Sequence, residues 1–209
     1  MRIACVSDTH GFHDRLVVPD GDVLIHAGDF CDGRDEGAVR RFSQWLEAQP
    51  HRYKIVVAGD HDFLFESGPV AARLLLPRNV IYLHDSGVEI EGVHFWGSPW
   101  QPWFWGFAFN LQRGDALRKK WDMIPGSTDV LITHGPPQGI GDRMKGGASV
   151  GCEELARAVE RVRPYLHVCG HIHNGHGIFG STVNAAICSD DYDIVNRPIA
   201  SIHGYDYSH

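Results

Sequence analysis

Carboxylate and imidazole side chains recur in this chain wherever an apolar run stops. "RIACVSDTH" ends in Asp8-Thr9-His10, and "DVLIHAGD" ends in Gly28-Asp29. "YKIVVAGDHD" ends in Gly59-Asp60-His61-Asp62, "DVLITHG" in Thr133-His134-Gly135, and "YLHVCGHIH" in Gly170-His171-Ile172-His173. Short β-branched runs bounded by glycine read as buried strands. Five strands therefore deliver Asp or His just past their carboxyl ends, where open α/β sheets place their sites. In Asp8-x-His10 and His171-x-His173, alternate residues of an extended segment point the same way. Asp and His without cysteine form a borderline-to-hard ligand set, unlike a structural thiolate zinc site. Manganese leads the ions it suits, with iron, zinc, nickel and magnesium behind. Asp8, His10, Asp29, Asp60, His134, His171 and His173 are too many for one tetrahedral ion. They suit two ions about 3.5–4 Å apart sharing a carboxylate, an arrangement used for in-line phosphoryl chemistry. Each piece alone has an ordinary explanation: Asp-x-His is common, and Gly-Asp after a strand is often a turn. The ordered recurrence at five strand ends carries the metal-site reading.

The elements that must position these groups alternate between strands and amphipathic helices. Residues 35–49 read as a helix with Val39, Phe42 and Leu46 on one face and Pro50 ending it. Shorter helices are expected over "PVAARLLL", stopped by Pro77, and over "DALRKKWDM". "CEELARAVERV" carries a stripe of Leu155, Val159 and Val162. Residues 80–99 read as a meander turning near Gly87 and Gly92, and "GIFGSTVNAAI" and "RPIASIH" as late strands. The polar end, residues 203–209, reads as frayed. No repeat or linker interrupts the pattern, so one domain over residues 1–209 is expected. The mixture of βα units with a meander points to a layered α/β sandwich with mixed sheets, not a simple doubly wound one.

Composition sets the outer limits. At 209 residues, 43% hydrophobic and 22% charged, the chain is an ordinary globular one. A net charge of -7 argues against binding long nucleic acid through phosphate neutralisation. It leaves room for a small anionic substrate, because bound cations reverse the local field. The five cysteines are odd in number, spread out and without a CxxC pair, which reads as reduced thiols. No leader-like stretch precedes the first strand and no apolar run approaches a membrane span, so the cytoplasm is the expected compartment. Of the fourteen histidines, His13, His26, His84, His94, His167, His203 and His209 have no motif context and are assigned to core or surface.

The ordered series DTH, GD, GDHD, THG and GHIH resembles the motifs of the calcineurin-like metallophosphoesterase superfamily. Through "GSPWQPWFWGFAFN", "DVLITHGPP", "VGCEEL" and "HVCGHIHNGHG" the chain resembles the MPPED-type subgroup of that superfamily along nearly its whole length. The resemblance implies a four-layer α/β/β/α sandwich and metal-dependent hydrolysis of phosphomonoesters or phosphodiesters. It implies one ion held by Asp8, His10, Asp29 and His173, and a second held by Asp29 as a bridge, Asp60, His134 and His171. His61 would then protonate the departing oxygen. Asp62 reads equally well as a helix N-cap, and Asp32 as a carboxylate that orients His61.

The chain departs from the family pattern at Asp60, where Asn is expected. The carboxylate takes the formal charge of a two-ion, hydroxide-bearing centre from one positive to neutral. It also replaces an amide donor by an acceptor. The expectation is a slowed enzyme or an altered metal preference, with a binding scaffold carrying a weakened site as the alternative.

Substrate choice is expected to lie in the aromatic segment, where Trp96, Trp100, Trp103 and Trp105 stand close to Phe104, Phe107 and Phe109. Such rings either stack on a base, pack beneath a loop or make a dimer interface. Trp100, Trp103, Arg143 and Asn174 are the candidate substrate contacts, the Gly-rich loop around Arg143 and Lys145 being a candidate lid. A small phosphodiester, such as a cyclic or other small nucleotide, is the expected substrate. A nuclease ranks second, because "RKKW" and "DRMK" are too short for a basic track.

Overall fold

The structure is a computed structural model that describes residues 1–202; the expected frayed end at 203–209 lies outside the described residues. In chain order it runs β1 (Arg2–Val6), β2 (Val23–His26), α1 (Glu36–Ala48), β3 (Tyr53–Val56), α2 (Phe63–Ser67), α3 (Pro69–Leu75) and β4 (Val80–Tyr82). A meander follows, β5 (Ser86–Ile90) and β6 (Val93–Ser98), then the short pair β7 (Gln101–Pro102) and β8 (Asn110–Leu111), then α4 (Asp115–Trp121). The chain continues through β9 (Val130–Thr133), α5 (Glu153–Val162), β10 (Leu166–Cys169), β11 (Gly177–Phe179), β12 (Thr182–Asn184) and β13 (Ile199–Ile202).

Two mixed sheets result, ordered β13-β1-β2-β3-β4 and β11-β12-β10-β9-β6-β5. β1 through β4 pair in parallel while β13 runs antiparallel to β1. In the second sheet β6, β9, β10 and β12 are parallel, with antiparallel hairpin strands at both edges.

Side-chain alternation along the strands defines the layers. Ile3, Cys5, Val23, Ile25 and Ile55 face Phe95, Val130, Ile132, Leu166 and Val168 in a core between the two sheets. The intervening residues Ala4, Val6, Leu24 and Val56 face outward, onto Val39, Phe42 and Leu46 of α1. On the far side Leu131 packs against Leu117 and Trp121 of α4 and Leu155, Ala158 and Val162 of α5. The order is α/β/β/α, four layers with mixed sheets. Because both faces of β1, β2, β9 and β10 are covered, these strands read as continuous apolar runs, not as alternating ones.

The helix boundaries follow local chemistry. Asp35 accepts from the backbone N–H groups of Gly37 and Ala38 and opens α1. Pro69 occupies the first turn of α3. The five-residue α2 is signalled in the sequence only by Asp62 as a candidate cap, because it is too short to show a period. The β7–β8 pair, Gln101 beside Asn110, closes the aromatic segment into a loop that the sequence pattern does not reveal. Among the described residues no helix is long and apolar enough to cross a membrane.

Candidate metal centre

The seven acidic and imidazole residues expected to form a site converge at the carboxyl ends of β1, β2, β3, β9 and β10. Oxygen and nitrogen atoms of Asp29, Asp60, His134 and His171 lie within 4.8 Å of one another, and so do those of Asp8, His10 and His173. Asp29 stands between the groups, its Oδ2 3.4 Å from Nε2 of His134 and 3.8 Å from Nε2 of His10. Oδ1 of Asp60 is 2.8 Å from Nε2 of His134 and 3.0 Å from Nδ1 of His171. In the other group Nε2 of His173 is 3.4 Å from Oδ1 of Asp8 and 3.3 Å from Nε2 of His10. All of these residues except His171 and His173 are buried.

The backbone is bent to achieve this. Asp8, His10, Asp29 and His171 have φ of 51°, 43°, 55° and 64°, the left-handed region that non-glycine residues rarely enter. Such conformations persist where the surroundings over-determine them, and they cluster at functional sites. Here the surroundings are visible: the His171 N–H donates to both oxygens of Asp8 at 2.9 Å, and the His61 N–H to Oδ1 of Asp29 at 2.8 Å. A Cβ at Gly59 would collide with the Asp29 carboxylate and the His134 ring, and one at Gly170 with the Asp8 carboxylate. Glycine at these two strand ends lets the loops close on the ligand groups.

Whether these residues fit cations is decided by their protons. Nδ1 of His134 donates to the Ala27 carbonyl at 2.9 Å, so in the neutral ring Nε2 is a bare lone pair. That lone pair faces two carboxylate oxygens, which are acceptors as well. His173 repeats the pattern, with Nδ1 on the Ser189 carbonyl at 2.8 Å and Nε2 directed at Asp8 and His10. Acceptors converging on acceptors require either extra protons or cations between them. With only protons present, burial disfavours charging these rings, yet the facing carboxylates reverse that. His134 is held well above the usual imidazole range and His173 is pushed up to about 9. Burial opposes charge on Asp60 too, and His171 and His134 overturn it, holding the carboxyl well below its usual range. The donor set of three carboxylates and four imidazoles fits two divalent cations.

His61 lies beside this cluster, its Nδ1 3.0 Å from Oδ1 of Asp32. Burial works against protonating His61, but Asp29, Asp60 and Asp32 together raise its pKa above the usual value. Of the three, Asp29 and Asp60 are themselves ligand groups, whereas Asp32 bonds His61 directly and lies with it within 4.8 Å of a ring nitrogen of His10. Asp62 stands at the N-cap position of α2, but its side chain makes no cap bond there. Its carboxylate accepts from the N–H groups of Asp29, Cys31 and Gly59 at 2.9, 3.0 and 2.7 Å. One buried side chain thus ties the loop after β2 to the loop after β3. Burial and the neighbouring Asp29 push its pKa well above the ordinary carboxylate range.

A cavity of ≈ 410 Å³ opens over the centre, lined by Asp29, Asp60, His61, His171 and His173 and by Trp103, Phe104, Phe107, Arg113, Asn174, Asp190 and Tyr192. That volume suits a small ligand. Trp103 and Asn174, two of the expected substrate contacts, line it; Trp100 and Arg143 do not. Trp100 donates its indole N–H to Asp85 at 2.9 Å, with the Lys120 ammonium 4.2 Å from its ring centre, so it anchors the aromatic loop from behind. Arg143 is exposed on a small hairpin and pairs with Ser149. That hairpin is pinned at its base: Asp142 accepts from the N–H groups of Gly139 and Gly151, and Arg113 donates to the Val150 and Gly151 carbonyls. Sequence reasoning missed Arg113, Asp190 and Tyr192, none of which stands in a recognisable motif. His13, His26 and His167 are buried, and His94 is exposed.

Comparison with known proteins agrees with this geometry. The sequence model of the family described as calcineurin-like phosphoesterase matches residues 1–175. The chain is 46% identical to human metallophosphoesterase domain-containing protein 1, across 95% of this chain and 69% of that protein. It is 40% identical to a UPF0046 protein of Caenorhabditis elegans, across 95% of this chain and 74% of the other. A solved structure from Thermus thermophilus superposes with a TM-score of 0.58 at 15% identity, covering 88% of each chain, which is a likeness of fold.

Proposed function

The chain belongs to the calcineurin-like phosphoesterase family, and on that premise we propose that it is a two-metal phosphodiesterase acting on cyclic or other small nucleotides. One observation carries the reading: the two ligand groups share Asp29, whose Oδ2 faces His10 on one side and His134 on the other. Asp8, His10, Asp29 and His173 would hold one ion, and Asp29, Asp60, His134 and His171 the other, with manganese the first candidate. Divalent cations bound there supply charge neutralisation for a phosphate and a more acidic water.

The chain's own residues do the rest. His61 is placed at the cavity wall, next to the ligand groups, with one ring nitrogen engaged by Asp32. Its other nitrogen is left to give a proton to the oxygen that departs from phosphorus. Asp62 holds the Asp29 and Gly59 loops in register, so that ligand groups from β2 and β3 meet. The aromatic wall of Trp103, Phe104 and Phe107 favours a small ester with a flat portion over long nucleic acid, as does the net charge of -7. The single-domain reading and a cytoplasmic location belong to this proposal as well.

The test is hydrolysis of bis-p-nitrophenyl phosphate by chelator-stripped protein, with and without added manganese, beside a count of bound metal. Turnover that needs manganese, with close to two ions per chain, is the expected result. A folded protein that binds metal but turns over no ester would favour the scaffold reading, for which Asp60 is the argument.

A further inference from the structure

We propose that Tyr192 is a specificity-determining residue. Opposite Trp103, Phe104 and Phe107, it forms the second side of an aromatic slot that selects phosphate esters bearing a flat ring. The inference rests on reading the cavity as a phosphoester site.

Tyr192 is delivered by a tight turn. Its N–H donates to the Ser189 carbonyl at 2.9 Å, and the Ser189 N–H donates to the Asp193 carbonyl at 2.8 Å. The same Ser189 carbonyl accepts from Nδ1 of His173, so the turn is fastened to a ligand group. Tyr192 has φ of 62°, an outlier for a bulky aromatic residue. That conformation sets its ring edge-on to His10, with centroids 4.6 Å apart, and 6.1 Å from His61. Phe107 lies 4.8 Å from His61 and parallel to Phe104. His61 is therefore flanked by aromatic rings from two separate segments.

None of these exposed rings is needed by the core. Trp103, Phe104 and Tyr192 are 58%, 48% and 41% exposed, yet all three converge on one cavity. Large exposed apolar groups gathered at one place mark a binding surface. Polar groups of the lining offer little alternative grip away from the ligand cluster. The terminal nitrogens of Arg113 are engaged by Val150, Gly151 and Glu153, and the Asn174 amide by Asp190. Residue 192 also lies beyond residues 1–175, the span that the family's shared pattern accounts for. The hydrolytic groups belong to that span; the Tyr192 turn does not.

Calorimetric titration of manganese-loaded protein with adenosine 5′-monophosphate and with ribose 5-phosphate isolates the ring, because both carry the same phosphate on the same sugar carbon. Wild-type protein should prefer the adenosine ligand by about tenfold, as one stacking contact implies. Tyr192→Asn, which removes the ring but suits a left-handed φ, should cut that preference to within about threefold. Tyr192→Phe should keep it. An equal affinity of wild-type protein for both ligands, or an equal loss of both in Tyr192→Asn, would overturn the proposal. Turnover gives a second reading: KM for bis-p-nitrophenyl phosphate and for methyl p-nitrophenyl phosphate, each of which carries a flat ring, should rise about tenfold in Tyr192→Asn and stay near the wild-type value in Tyr192→Phe. A wild-type protein that hydrolyses neither ester counts against the proposed function, while the titration still decides the role of Tyr192.

Discussion

Asp60→Asn is the most informative single substitution at the centre. Asp60 meets both imidazoles of its group through one oxygen, Oδ1, at 2.8 Å from His134 and 3.0 Å from His171. Asparagine keeps an oxygen for that position and exchanges the other carboxylate oxygen for an N–H donor. The ligand geometry is thus retained while one negative charge leaves a side chain that is 3% exposed. Two unit charges about 4–5 Å apart interact by roughly 3–4 kcal/mol at an effective dielectric near 20. Bound cations and the open mouth of the cavity screen part of that, leaving about 1–2 kcal/mol for an incoming phosphate. A change of that size corresponds to about 5- to 30-fold in affinity. The assay is competitive inhibition of bis-p-nitrophenyl phosphate hydrolysis by inorganic phosphate, at saturating manganese and fixed ionic strength, with metal content measured on the same samples. Asp60→Asn should lower the phosphate inhibition constant by about 5- to 30-fold and raise kcat/KM. If the variant holds the same metal yet shows neither change, the argument that Asp60 repels the substrate is refuted.

Three further outcomes follow from the geometry. His61→Gln should lower kcat about a hundredfold for a diester with an alkoxide leaving group and much less for a p-nitrophenyl ester, whose leaving group needs no proton; equal losses would remove His61 from the role of acid. Asp62→Asn leaves one of three buried N–H donors facing another donor, which should cost about 1–3 kcal/mol in urea unfolding; a loss below about 0.5 kcal/mol would show that Asp62 does not tie the two loops. His167 is fully buried, and burial lowers its pKa to about 3 from 6.5. Below pH 6.5 the unfolded chain takes up a proton that the folded one does not, so this contribution is complete above pH 6.5 and is lost as pH falls toward 3. Between pH 7 and pH 5, His167→Gln should therefore lose about 2 kcal/mol less stability than the wild type, and identical losses would contradict this.

Much of the centre was legible because its chemistry is written locally. Asp8-x-His10, Gly28-Asp29, Gly59-Asp60-His61, His134 and His171-x-His173 each sit directly after an apolar run, and the run predicts the strand that carries them. The layering was legible in part: runs such as "VLIH" and "VLIT" are apolar at nearly every position because both faces are covered, so they announce burial without saying which side meets which layer. At Asp62 the sequence offers a cap as readily as a chemical role, because a carboxylate next to a helix start has that local use, whereas its three donors come from residues 29, 31 and 59.

By itself, then, the sequence determined the types and order of the groups that approach the centre, the strands that end there, and the departure at Asp60. Tertiary structure decided which side chains face the cavity. Trp100 and Trp103 are the same residue type three positions apart, but Asp85 and Lys120 capture the first while the second stays open. Tyr192 carries no signal of its own until the Ser189 turn is fastened to His173. The Asp8 carboxylate is held by the His171 N–H from 163 residues away. Spacing along a chain encodes neighbours within a few residues, whereas the direction of a side chain at a cleft is set by contacts that exist only once distant strands have paired.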